Sequence, residues 1–290
     1  MRAVRAIVLG LCSCLAALAA SPFPARAGGS DLFFRASDGV RLHAIVAGAD
    51  AAPTLVLVPG WTMPGWIFAH QIADLSPRYR VVAFDPRGQG KSEVARDGYD
   101  DRRRGQDIAE LLAQLGPRPV VLAGWSLGVL DALAYLHTHG DARLAGLVLI
   151  DNSVGEEPPP APGPAGRGPS LPWPQAMRRF VAGMFLRPQS PAYLDRLTEA
   201  ALVTPEWAAK ALLRYPEPRS YWREALYSTD KPILYVVRPS LAGQAANVAR
   251  HAPHAETVVM RGVGHALFAD DPARFDALLV SFLQHRAWPR

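Results

Sequence analysis

Residues 120–130 read Val-Val-Leu-Ala-Gly-Trp-Ser-Leu-Gly-Val-Leu, and this stretch decides the fold. Val120 to Ala123 form a short apolar, β-branched run of the kind that makes a buried strand. Beyond Gly128, Val129, Leu130, Leu133, Ala134 and Leu136 recur at helical spacing. Between them lies a Gly-x-Ser-x-Gly pentapeptide, Gly124 to Gly128. A strand that passes directly into a helix through such a sequence holds the serine in a tight backbone conformation. The two glycines keep side chains out of the turn, and the Ser126 hydroxyl stands at a helix N-terminus. Ser126 is therefore the candidate nucleophile.

Working outward, strands alternate with helices on both sides. An antiparallel pair is expected over 32–35 and 41–47, split by Ser37-Asp38-Gly39. Buried strands follow over 54–58, 80–84, 144–150, 233–237 and 256–260, with helices over 66–75, 101–115, 241–250 and 272–286. Such alternation implies a mostly parallel sheet covered on both faces. Residues 154–174 are dense in proline and glycine, which excludes regular structure. Four short helices without a strand follow over 175–186, 191–204, 205–215 and 219–228. We expect a core of residues 28–153 and 229–290, and an inserted Pro-rich linker plus helical lid over 154–228, above the sheet edge where open α/β sheets bind ligands.

The first 27 residues have a different character. Arg2 and Arg5 precede an apolar segment over 7–20, and Ala25-Arg26-Ala27 supplies a small-x-small cleavage signal. We expect a removed signal peptide and an exported, periplasmic or secreted protein with no stable membrane anchor. The apolar segment is shorter than the ~20 residues of a membrane span. A lipoprotein anchored at Cys14 is the rival reading. Both cysteines, Cys12 and Cys14, lie in this leader, so the mature chain would hold no disulfide, thiolate nucleophile or cysteine metal site. Loss of the leader also lowers the formal charge from +5 to +2, with 28 basic against 26 acidic side chains. Arg102-Arg103-Arg104 is then a solvated helix face rather than a nucleic-acid surface. Gly90-Lys91-Ser92 does not end a phosphate-binding loop, because Asp85 stands where the first glycine is required.

Four segments in this order carry a resemblance: Pro59-Gly60-Trp61, Asp85 to Ser92, Gly124 to Gly128, and Gly262-Val263-Gly264-His265. Together they resemble the α/β-hydrolase superfamily, in its small capped esterase and cofactor-free haloperoxidase-like branch, over about residues 31–286. The resemblance implies an α/β-hydrolase fold with neither cofactor nor metal, and a small-molecule substrate. It makes His265 the general base for Ser126. It places the oxyanion donors at the backbone amides of Leu127 and Trp61, although the usual His-Gly is here Pro59-Gly60. It makes Asp85 and Arg87 structural.

The acid is where the sequence departs from the family pattern. The usual position follows the penultimate strand, and residues 238–244 contain no acidic side chain. The other position used in the superfamily follows the preceding strand, so Asp151 is the expected acid. Asp131, Glu156 and Glu157 are fallbacks, and a Ser–His dyad is a further alternative. Of the remaining histidines, His137 and His139 lie behind the nucleophile and His251 and His254 flank a turn. His70, Trp66 and Trp125 are expected to line the pocket beside Trp61, with Trp173, Phe180, Met184 and Phe185 from the lid. The expected activity is hydrolysis of a carboxylester or thioester through an acyl-enzyme. An amide or lactone substrate, perhydrolase–haloperoxidase activity with the same triad, and a non-catalytic binding protein are the alternatives.

Overall fold

The computed structural model describes residues 29–161 and 171–289. The expected signal peptide and residues 162–170 of the Pro-rich linker lie outside the described residues. An eight-stranded sheet runs through the core in the order β1-β2-β4-β3-β5-β6-β7-β8. β1 (Ser30–Arg35) and β2 (Arg41–Ala47) form the expected antiparallel pair, and β2 joins β4 (Arg80–Asp85) in antiparallel fashion. β3 (Thr54–Val58), β4, β5 (Val120–Trp125), β6 (Leu144–Ile150), β7 (Ile233–Val237) and β8 (Ala255–Val259) are parallel to one another.

The strand interiors are apolar because both faces are covered. Along β5, Val120 and Leu122 enter one hydrophobic cluster while Val121, Ala123 and Trp125 enter the other, and Val56 and Leu57 of β3 divide in the same way. The period of two thus sorts one continuous apolar run onto two cores. One core is capped by α2 (Asp101–Gln114) and α3 (Leu127–His139), and the other by α1 (Ala69–Leu75) and a C-terminal helix, Pro272–Phe282. Asp100 caps α2, accepting from the Arg103 amide at 3.0 Å. The helix expected over 66–75 is divided: Gly65–Phe68 is a 3-10 turn and α1 begins only at Ala69.

Between β6 and β7 come α4 (Trp173–Gly183), α5 (Pro191–Ala201), α6 (Glu206–Leu212) and α7 (Arg219–Tyr227). Of these, α7 packs on α3: its Tyr221, Trp222, Ala225 and Leu226 are buried in the same cluster as the α3 face, together with Ala208 and Leu212 of α6. The chain finishes with α8 (Ala242–His251), the one-turn α9 (Leu267–Asp270) and α10 (Pro272–Phe282). Strand order reverses about β3, whose neighbours are β4 and β5, and the crevice at such a reversal lies beyond the carboxyl ends of the strands.

Candidate active site

Ser126 joins β5 to α3 with φ 54° and ψ −121°, a region that residues with a Cβ rarely occupy. Such strain costs about 1–3 kcal/mol and persists only where the surroundings over-determine the backbone. Here they do. A Cβ at Gly124 would lie 2.1 Å from the Gly128 carbonyl oxygen, and one at Gly128 would lie 2.4 Å from that of Val58. The Ser126 amide donates to the Ile150 carbonyl at 2.9 Å. The Ser126 carbonyl accepts from the Val129 amide at 2.9 Å and from Asn152 Nδ2 at 2.8 Å.

Three expected residues meet at this turn. His265 Nε2 is 2.8 Å from Ser126 Oγ, and His265 Nδ1 is 2.7 Å from Asp151 Oδ2. Asp151 follows directly on β6 with φ 50°, its amide donating to the Val236 carbonyl at 2.9 Å. Its carboxylate is fully buried, yet every oxygen is engaged. The Arg238 amide donates to Oδ1 at 2.9 Å, and Arg238 Nε donates to Oδ2 at 2.5 Å. An unpaired charge at this depth would be prohibitive, and a guanidinium plus an imidazole remove the penalty. Tyr235 donates its hydroxyl to the Asn152 carbonyl at 2.8 Å, and its burial, with the Asp151 charge nearby, pushes the phenol's pKa up.

The other acids are committed elsewhere. Asp131 accepts from Arg104 Nε at 2.7 Å and is pushed up to about 6 by burial. Glu156 accepts from the Tyr227 hydroxyl and from the Glu157 amide, and Glu157 is exposed. Nor do the remaining histidines approach Ser126. His137 packs on Tyr221 at 4.0 Å, His139 on Tyr135 at 5.4 Å, and His251 pairs with Glu156 at 3.7 Å.

The His265 loop is held from three directions. The Gly264 amide donates to Asp270 Oδ2 at 2.5 Å, the Ala266 amide donates to the Met184 carbonyl at 3.0 Å, and Trp125 Nε1 donates to the His265 carbonyl at 2.9 Å. Asp270, buried at the end of α9, also accepts from the Leu186 amide at 2.8 Å and the Arg187 amide at 3.2 Å. One carboxylate thereby ties the histidine loop to the segment joining α4 and α5.

The expected oxyanion donors flank Ser126. Leu127 opens α3, so its amide is one of those with no intrahelical acceptor. Gly60 passes so close that a Cβ there would lie 2.8 Å from Ser126 Cβ and 3.3 Å from Ser126 Oγ. The Gly60 carbonyl accepts from Gln89 Nε2 at 3.2 Å and from the Met63 amide at 3.1 Å. In a trans peptide the N–H opposes the C=O, so the Trp61 amide points away from Gln89. Gln89 is buried and also accepts from the Thr62 amide at 2.9 Å and donates to the Met63 carbonyl at 2.9 Å. Thr62 itself sits at φ 60°. Gln89 is thus the template of this loop, a role its place in the Asp85–Ser92 segment did not announce. Asp85 accepts from the Gly65 amide at 2.6 Å and the Lys91 amide at 2.8 Å, and Arg87 is buried against Asp107 at 2.6 Å. Both are structural.

A cleft of about 850 Å³ opens beside His265, walled by Leu171, Phe180, Met184, Arg179 and Arg238. Trp61 borders the lid: its Nε1 donates to the Ala209 carbonyl at 2.7 Å, and its ring meets Phe180 edge-on at 4.9 Å. Trp125, Trp66 and His70, expected as pocket lining, do not line this cleft. Trp125 is only 1% exposed and packs on Phe68 and Phe268, because a residue one position before the turn still points into the sheet face. Trp66 lies against Tyr193 with the Arg196 guanidinium 4.3 Å above its ring. His70 is half-buried, and burial pushes its pKa down. Of the expected lid residues, Phe180 and Met184 do line the cleft, whereas Trp173 packs on Trp61 at 6.0 Å and Phe185 on Tyr193 at 5.8 Å.

The alpha/beta hydrolase family description matches residues 55–278. Over 250 residues the chain is 28% identical to a pimeloyl-[acyl-carrier protein] methyl ester esterase of Yersinia enterocolitica, covering 79% of this chain and 93% of that one. It is 35% identical over 97 residues to a non-heme chloroperoxidase of Kitasatospora aureofaciens, spanning only 35% of that protein's length. Among solved structures, an esterase from Rhodococcus sp. ECU1013 superposes with a TM-score of 0.74 at 26% identity, covering 89% of this chain and 99% of that one. A bromoperoxidase from Bacillus anthracis superposes with a TM-score of 0.74 at 21% identity, over 88% and 99%, and shares the fold.

Proposed function

Because the chain belongs to the alpha/beta hydrolase family, we propose that it is a serine hydrolase cleaving ester-like bonds of small to medium substrates through an acyl-enzyme. The observation that carries this reading is the unbroken relay from Ser126 Oγ through His265 to Asp151, at 2.8 and 2.7 Å. Those distances are within reach of direct proton transfer. His265 Nε2 takes the hydroxyl proton as Oγ attacks the substrate carbonyl, while Asp151 holds the proton on Nδ1 and stabilises the imidazolium. The Trp61 and Leu127 amides meet the developing oxyanion, and loss of one such donor typically costs about 10²–10³ in kcat. His265 then protonates the leaving group, and water repeats the sequence on the acyl-enzyme. Esterases among both the curated relatives and the solved structures support the ester class.

A fluorophosphonate probe tests the nucleophile. Wild type should label stoichiometrically and Ser126→Ala not at all, with turnover of p-nitrophenyl esters lost in parallel. Equal labelling of the two proteins would remove the reading. Export is part of the proposal and rests on the leader pattern of residues 1–27; the mature protein recovered from the host should begin after Ala27.

A further inference from the structure

The loop after β7, where the family's usual acid is missing, carries Arg238 instead, and its position bears on the substrate. Its main-chain amide and Nε are spent on Asp151. Its Nη2 lies 3.3 Å from His265 Nδ1, a nitrogen whose proton is directed at Asp151 and which therefore has no lone pair to offer. Among the described residues Nη1 makes no hydrogen bond. About a third of the side chain, 35%, is exposed, and it faces the cleft.

Arg179 of α4 lines the same cleft. Its neighbour Arg178 is paired with Asp195 at 2.5 Å, but Arg179 has no ion pair among the described residues. Among the described residues no acidic side chain lines the cleft, and the Asp151 carboxylate beneath it has no exposed surface. Two guanidinium groups thus face one cavity which, apart from His265, is walled by apolar residues such as Leu171, Phe180 and Met184. The Arg238 charge is shared with Asp151, but the Arg179 charge has no carboxylate partner among the described residues, so an anion entering between the two gains from Arg179 and from the free Nη1 of Arg238. A guanidinium edge matches a carboxylate in bidentate geometry.

The reaction also says which part of a substrate enters. His265 Nε2 must reach the leaving oxygen to protonate it, so the leaving group lies on the histidine side of the reacting carbon. The cleft is lined by His265, and by neither Trp61 nor Leu127. On the reading that Ser126 is the nucleophile, we propose that the cleft binds the alcohol half of an ester bearing a carboxylate, held by Arg238 and Arg179. In the acylation step the Ser126 Oγ–carbonyl bond forms and the ester C–O bond breaks. The serine proton passes through His265 to the departing oxygen, and the carboxylate-bearing alcohol leaves through the cleft.

The test compares 4-carboxyphenyl butyrate with 4-carbamoylphenyl butyrate, which differ by one charge at nearly constant shape. The amide is the more electron-withdrawing substituent, so intrinsic reactivity runs against the expected result. Wild type should prefer the carboxylate by about tenfold in kcat/KM at low salt. The preference should fall toward unity at about 0.5 M salt, where exposed charges are screened. Arg179→Gln should lower the ratio about fivefold, chiefly through KM for the charged ester. Arg238→Gln should lower it similarly and reduce kcat for both esters, since Asp151 loses a partner. A wild-type ratio at or below one, or a ratio insensitive to Arg179→Gln, overturns the assignment. If wild type still takes the fluorophosphonate and cleaves both esters equally, only the carboxylate assignment fails. If it neither labels nor cleaves, the hydrolase reading fails with it.

Discussion

Ser126 and His265 lie 2.8 Å apart yet are held by opposite means. Ser126 is fixed chiefly by close main-chain packing: glycines on either side let β5 and α3 close on the Val58 carbonyl, and bonds to the Ile150 carbonyl and from Asn152 complete the turn. His265 sits on a loop held by polar groups on three other segments: the Asp270 carboxylate just downstream, the Met184 carbonyl and the Trp125 indole. Steric fixation of the main chain leaves little to adjust beyond the one side-chain bond from Asn152. Fixation by polar side chains can be weakened one bond at a time, and it couples the histidine to whatever shares those bonds. Asp270 also serves the Leu186 and Arg187 amides, so the lid and the base answer to one carboxylate.

The sharpest break of this contrast is at Asp151. Asp151→Asn keeps the shape but removes the charge facing His265 Nδ1 and Arg238 Nε, and kcat should fall by about 10³–10⁴ with the fold retained. Circular dichroism and ester turnover measured together check this, and a near-normal rate would move the acid elsewhere. On the serine side, Gly128→Ala should destabilise the whole protein by about 3 kcal/mol, because the new methyl would meet the Val58 carbonyl at 2.4 Å. Thermal unfolding reads that loss; an unchanged Tm would mean the turn relaxes freely. On the histidine side, Asp270→Asn should leave the protein folded and lower kcat by about tenfold, since the Gly264 amide and the lid amides lose a charged acceptor. An effect on Tm without one on kcat would detach the loop from the chemistry.

The smallest expected effect lies in the shared support beneath both. Asp276 of α10 accepts from Gln71 Nε2 at 2.8 Å, but burial, with help from the Asp74 charge, pushes its carboxyl up to about 6. Its folded value exceeds the ordinary 3.8, so its contribution to stability is complete below about pH 4 and is lost as pH rises through about 6. Asp276→Asn should therefore raise Tm by about 2–4 °C at pH 8, with little gain near pH 4. Equal gains at both pH values would show that the carboxyl's charge is not the cause.

What was legible in the chain follows the same division. The turn at Ser126 announces itself because all its determinants, strand, glycines and helix, lie within a dozen residues. The buried strands are equally plain, since a five- or six-residue run can stay apolar at every position only where both of its faces are covered. The oxyanion loop was only half legible: Pro59-Gly60 marks the turn, but Gln89, which orients it, is distant in sequence and ordinary in type. Asp270 lies only six residues beyond Gly264, but its tie to the Leu186 and Arg187 amides exists only in the fold. Trp125, expected beside the site, is buried in the sheet face with its ring against His265 at 5.2 Å rather than in the cleft. Arg238 shows the limit most clearly. The absence of an acid after β7 is plain in the sequence, but only the fold shows that a cation stands against the acid supplied by β6.

β5 and β6 are hydrogen-bonded neighbours in which Trp125 lies opposite Ile150. The next residues on the two strands are Ser126 and Asp151. Any bend or twist of the sheet therefore carries both in common mode, one ladder spacing of about 4.8 Å apart. Two of the three reacting groups form a single mechanical part. Within the relay only one joint, the loop bearing His265, has to be located against it, while the Gln89-held loop brings the Trp61 amide to the same part.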